Sequence, residues 1–181
     1  KFFTFFSYLA VYAVLPYGAV IIRQGGETIL GMPVSLASSL PVSLNCVGIF
    51  IMVIFGNLIL KKTGIRAYIF ITLLSGIAAM LMCYLNLSIY TVIPSSFLLG
   101  LCLGMEKTIM NYFISVCSDS DSEIKINFGY YNGGLLTGLA LGGSIGGIIS
   151  SARGYEYTYL AGAVIMLFMF VTINLLIPIR I

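Results

Sequence analysis

The stretch GYYNGGLLTGLALGGSIGG, Gly129–Gly147, holds eight glycines among nineteen residues and carries no charge. In water, glycine is about 1 kcal/mol worse than alanine in a helix, so the solvent decides how this stretch reads. The 181 residues are 60% hydrophobic and 8% charged, against about 25% charged in soluble domains. So few charges cannot cover a surface for water, and most of the chain is expected to face lipid. There the backbone has no competing solvent to bond, which lowers the cost of glycine and favours a helix. Gly134, Gly138, Gly142 and Gly146, four apart, then share one slowly rotating face about 18 Å long, flanked by Gly143 and Gly147. Such small-residue rows let helix backbones touch in lipid. A phosphate-binding loop is the weaker reading, since no strand precedes the stretch and no GK[ST] occurs in it.

Working outward, six apolar blocks appear: Phe2–Ile22, Pro33–Leu60, Ala67–Leu85, Ile89–Cys117, Phe128–Ser150 and Thr158–Ile179. Each has the ~17 residues that a membrane-crossing helix needs. Period-2 alternation is absent, which argues against a barrel. The first block is too long and aromatic for a cleaved signal peptide and lacks a small-residue cleavage site. These blocks predict an all-α polytopic membrane protein, residues 1–181 forming one six-helix bundle. The start at Lys1 without a Met predicts a piece of a longer chain. With six spans, Lys1, Lys61, Lys62, Arg66, Lys125 and Arg180 fall on one side, and Arg23 and Arg153 on the other. The positive-inside rule then puts both termini in the cytoplasm, as expected for a plasma (inner) membrane protein. The net charge of +3 is accounted for by this asymmetry and predicts no nucleic-acid partner.

The four cysteines, Cys46, Cys83, Cys102 and Cys117, have no CxxC spacing, and the chain has no histidine. Buried packing thiols are expected, not disulfides or zinc. The sequon Asn86-Leu87-Ser88 lies too close to the membrane to be an acceptor. With no paired catalytic carboxylates and no metal-ligand cluster, neither an enzyme nor a cofactor or metal site is expected. The acidic stretch SDSDSEIK, Ser118–Lys125, lacks the twelve-residue calcium loop. It reads as a solvated connector whose Asp and Ser residues cap the fifth span.

Counted from Gly129, the glycines at 138, 142, 146 and 147 resemble the fifth-helix antiporter motif of the major facilitator superfamily, G-x8-G-x3-G-P-x2-G-G, with Gly143 in place of the proline. GNLILKKTGIR, Gly56–Arg66, is similar to that family's loop between its second and third helices, G-x-L-a-D-r-x-G-r-k. Gly64 stands as the loop glycine, Lys62 and Arg66 as basic positions, Lys61 where the aspartate would be, and Gly56 one place from the leading glycine. An ordinary basic turn accounts for the same residues. SFLLGLCLGMEK, Ser96–Lys107, is similar to the fourth-helix pattern R-f-l-q-G-x3-G at Gly100 and Gly104, with Ser96 at the arginine position. RGYEYTYLAG, Arg153–Gly162, resembles the outer loop g-w-r-w-x-F.

The resemblance implies one half of a transporter, leaning toward the amino-terminal half. It would be built from inverted three-helix repeats and move a small solute by alternating access. Its partners would be lipid, a small-molecule solute, and a second six-helix half or second copy. The missing aspartate and arginine leave open a transport-deficient relative acting as a sensor or anchor fused to signalling domains. The family packs the glycine face of its fifth helix against the other half. That predicts Gly138, Gly142 and Gly146 on an outer face of the bundle.

Glu106 and Lys107 fall well inside the fourth span. Each ionised group at a helix centre costs about 2.5–3.5 kcal/mol even on permissive scales. They point about 100° apart, so they do not simply neutralise each other. Lys107 shares a small, polar stripe with Ser96, Gly100, Gly104, Thr108 and Asn111, predicted to face a cavity or a neighbouring helix. A substrate or ion pathway, a structural ion pair and snorkelling to the interface all remain open for the pair. Tyr8 and Tyr12, four apart in the first span, could line the same pathway or simply pack.

Overall fold

The computed structural model describes residues 2–25 and 31–176 of the chain. Lys1, Arg180 and the end of the last expected span lie outside them. Helices α1 (Phe2–Gly25), α3 (Leu40–Thr63), α4 (Ile65–Leu85), α5 (Ile89–Val116), α6 (Asp121–Arg153) and α7 (Tyr155–Leu176) correspond to the six expected spans, and α2 (Val34–Ala37) is a single turn before α3. Among the described residues, six helices are long and apolar enough to cross a membrane. Large apolar side chains such as Phe50, Phe55, Leu58, Leu136, Ile148 and Phe168 stand exposed, which is what a lipid-facing surface requires and a water-facing one avoids.

The connections are shorter than the sequence suggests. Only Gly64, at φ 78°, separates α3 from α4, in a backbone region that favours glycine. The expected gate loop is therefore mostly helix. Gly56, Lys61 and Lys62 belong to α3, and Arg66 to α4. The acidic connector is likewise mostly helix, because α6 begins at Asp121. The capping role holds: the Ser120 hydroxyl accepts a bond from the Glu123 amide at 3.3 Å, and Asp121 and Glu123 lie in the first turn, where carboxylates suit the helix dipole. At 33 residues, α6 is about 50 Å long, more than the ~30 Å hydrocarbon core. Its charged first turns accordingly lie at the end of the bundle that also carries Lys61, Lys62 and Arg66.

Two parallel helix pairs organise the bundle, α1 with α6 and α3 with α5. In both, glycine brings backbone against backbone. A Cβ on Gly138 would lie 2.5 Å from the Phe5 carbonyl oxygen, and one on Gly142 2.6 Å from that of Leu9. Gly146 abuts the Ala13 carbonyl. In the other pair, a Cβ on Gly48 would lie 2.6 Å from the Phe97 carbonyl oxygen, Gly100 abuts the Asn45 carbonyl, and Gly104 meets Ile49 and Met52. The Asn45 side-chain amide also donates to the Ser96 carbonyl at 3.3 Å.

The outer-face expectation for Gly138, Gly142 and Gly146 is thus incorrect. All three are buried against α1, inside the same bundle. The reason is register. The carbonyls of Phe5, Leu9 and Ala13 recur every four residues, as the glycines do, so the two ridges nest along their length. Gly129 and Gly143 meet nothing within 4 Å, and Gly147 only the Tyr17 hydroxyl at 3.9 Å. The glycine-rich stretch therefore divides between two faces of α6.

Candidate functional site: a buried carboxylate between three helices

Glu106 lies seventeen residues after Ile89 and ten before Val116, about 26 Å and 15 Å from the two ends of α5. Its helix turns it inward. The residue is 0% exposed, and neither carboxylate oxygen has a hydrogen-bond partner among the described residues. Four residues back along the same stripe lies Cys102, fully buried against Gly76 of α4.

The surroundings of Glu106 are polar. Thr4 and Tyr8 approach from α1 and Tyr131 from α6, each within electrostatic reach of the carboxylate. Thr4, Tyr8 and Tyr131 are 0%, 3% and 9% exposed, so no bulk water satisfies them. The Thr4 hydroxyl leans toward the carboxylate and the Tyr8 and Tyr131 hydroxyls toward each other, none of them at full hydrogen-bonding geometry. Leaving a buried polar group unpaired costs about 1–3 kcal/mol. Five such oxygens in one buried region therefore weigh against the fold.

The pairing of α1 with α6 explains how these side chains meet. The Gly138 contact with Phe5 and the Cβ of Tyr8 fixes the height of α1 beside α6, bringing Thr4 and Tyr8 to the middle of α6. Beneath Tyr131, toward the basic end, a cleft of about 170 Å³ opens between α5 and α6, lined by Met110, Phe113, Ile114, Cys117, Asn127, Tyr130 and Tyr131. Met110 is four residues from Glu106, on the same stripe.

The residues expected to form a pathway do not all gather here. Tyr8 joins Glu106. Tyr12 is half-buried and stacks on Tyr8, with centroids 5.8 Å apart, so packing and pathway coincide for that pair. Lys107 is half-buried, off the carboxylate's stripe but within electrostatic reach of it, and Asn111 is exposed. The stripe assigned to Lys107 meets a helix: Gly100 and Gly104 face α3, and Thr108 lies against Gly56. Lys61 and Lys62 are exposed on α3, and Arg66 stands 5.9 Å above the Phe70 ring. Sequence reading missed Thr4 and Tyr131. The available signal was slight: a threonine within FFTFF and a tyrosine within GYYNGG.

The chain matches the Major Facilitator Superfamily over residues 2–180. A search of curated proteins and a search of solved structures each returned no match.

Proposed function

Because the chain belongs to the major facilitator superfamily, we propose that it is one six-helix half of a secondary transporter that moves a small solute by alternating access. The observation that carries this reading is Glu106. A fully buried, unpartnered carboxylate in a membrane helix opposes stability, so its presence points to a task in carriage and not in folding. The surface fits a partner. The least buried of the six spans are those containing α3 and α6, and their exposed faces are where a second half or a second copy would dock. In this reading Lys107, half-buried, and Asn111, exposed, are the groups on α5 that meet solute.

The test is solute exchange. Proteoliposomes carrying the full protein, and empty liposomes, are incubated in a complex mixture of small metabolites, washed and analysed. Enrichment of one solute class with the protein, reduced at least about tenfold by Lys107→Leu in protein that still inserts, is the expected result. Identical contents in protein-bearing and empty vesicles would refute carriage.

The charge asymmetry supports a plasma-membrane protein with Lys61, Lys62, Arg66 and Lys125 in the cytoplasm. In a background with Cys46 and Cys117 replaced by serine, cysteine at position 152 should react with an impermeant maleimide in intact cells. Cysteine at position 63 should react only after lysis. The reverse pattern would invert the topology.

A further inference from the structure

We propose that the basic end of the bundle binds an anionic phospholipid, with its phosphate on Arg66 and Lys61 and one acyl chain in the groove between α5 and α7. The groove's exposure to lipid rests on the docking face inferred above, but its occupancy does not depend on transport and can be measured without it.

The groove has apolar walls and one charged corner. It encloses about 290 Å³, with Ile65, Ile69 and Phe70 of α4 as its floor and Phe113 of α5 and Ile173 of α7 at its sides. It exists because α4 packs along both α5 and α7, while those two barely meet. The lining residues come from the start of α4 and from the last turns of α5 and α7, so the groove opens at the basic end of the bundle. Its polar residues are Arg66 and Asn174. The Asn174 amide gives one N–H to the Phe170 carbonyl at 2.8 Å, leaving the other for an ester or phosphate oxygen.

Charge selects the headgroup. From Thr28 to Met105 the chain has no acidic residue, and Lys61, Lys62 and Arg66 are its only charges. All three are exposed. Arg66 is held at the groove, its guanidinium 5.9 Å above the Phe70 ring, and that ring is braced edge-on by Phe170 at 5.1 Å. Lys61, in the last turn of α3, lies across Ile65, which lines both this groove and the hollow beside Lys61. Guanidinium matches phosphate geometry, and basic groups at a membrane surface attract anionic lipid. Other ligands use only part of this arrangement. Free phosphate leaves the apolar groove empty, and a zwitterionic lipid brings a cation of its own to a corner that holds only cations. A second half would dock on α3 and α6, neither of which lines the groove.

The chain has no tryptophan, so Phe70→Trp places a single indole in the groove. In vesicles, its quenching by phosphatidylglycerol with brominated acyl chains is compared with that by equally brominated phosphatidylcholine at the same mole fraction. Phosphatidylglycerol should be favoured at least about threefold. Phe168→Trp, on an exposed face of α7, reports bulk lipid and should show no such preference. Arg66→Gln combined with Lys61→Gln should abolish the preference in the groove, whereas Arg153→Gln, at the other end of the bundle, should leave it unchanged. Phe113→Trp repeats the measurement from the α5 side if Phe70→Trp does not fold. Equal quenching by the two lipids, a preference shared by Phe168→Trp, or one that survives loss of both Arg66 and Lys61 would overturn the proposal. So would the absence of quenching by either lipid, which would mean that protein fills the groove.

Discussion

Gly142→Leu is expected to prevent formation of the bundle. A Cβ at that position would lie 2.6 Å from the Leu9 carbonyl oxygen and 3.2 Å from the Ala13 amide nitrogen. The obstacle is backbone, so no side-chain rotation relieves it. Nor can α1 retreat, because it also packs on α5 and α7. Overpacking a core with side chains commonly costs about 1–3 kcal/mol, and forcing two helix backbones apart should cost at least the upper end of that range. Gly143→Leu, one residue on, supplies the control, since nothing lies within 4 Å of it. Thermal unfolding in detergent, with size-exclusion profiles, should show Gly142→Leu aggregated or strongly destabilised and Gly143→Leu close to wild type. A folded Gly142→Leu with unchanged Tm would mean that α1 and α6 are not in contact as described.

Glu106→Leu should have the opposite sign. The substitution keeps roughly the side-chain volume and removes a buried carboxylate that makes no hydrogen bond. On insertion scales an acidic residue at a helix centre is unfavourable by about 2.5–3.5 kcal/mol, whereas leucine is favourable by about 0.5 kcal/mol. Part of that difference is already offset by Thr4 and by the Lys107 charge, so a gain of about 2 kcal/mol is expected. Their hydroxyls then face leucine, which prevents the full gain. Unfolding of both proteins at the same pH in the same buffer is the comparison to make. A Glu106→Leu variant less stable than wild type would show that the carboxylate holds the helices together and would remove the main support for a role in carriage. Together the two substitutions separate what builds the bundle from what the bundle is built to hold.

The six spans were legible in the sequence because they depend only on local composition. A run of ~20 apolar residues must be helical in lipid, whatever surrounds it. The same holds for the glycine-rich stretch as a helix, and for Glu106 and Lys107 as charged residues inside a span. The connections are shorter than expected because charge by itself does not mark the end of a helix. At the basic end, Lys61 and Lys62 stay in α3 and Asp121 and Glu123 start α6, since helix termini tolerate charges that suit their dipole.

What the sequence could not determine is which way each helix faces. In water the apolar stripe of a helix points to the core, and periodicity reveals it. In a membrane both the interior and the solvent are apolar, so that signal disappears, and helices settle by steric fit. Tertiary structure alone therefore decided that Gly138, Gly142 and Gly146 meet α1 while Gly129 and Gly143 face outward. The same fit brings Thr4, Glu106 and Tyr131, far apart in the chain, to one buried junction. Spacing along a helix shows which residues share a face, and only the matching of carbonyl ridge to glycine groove shows what that face touches.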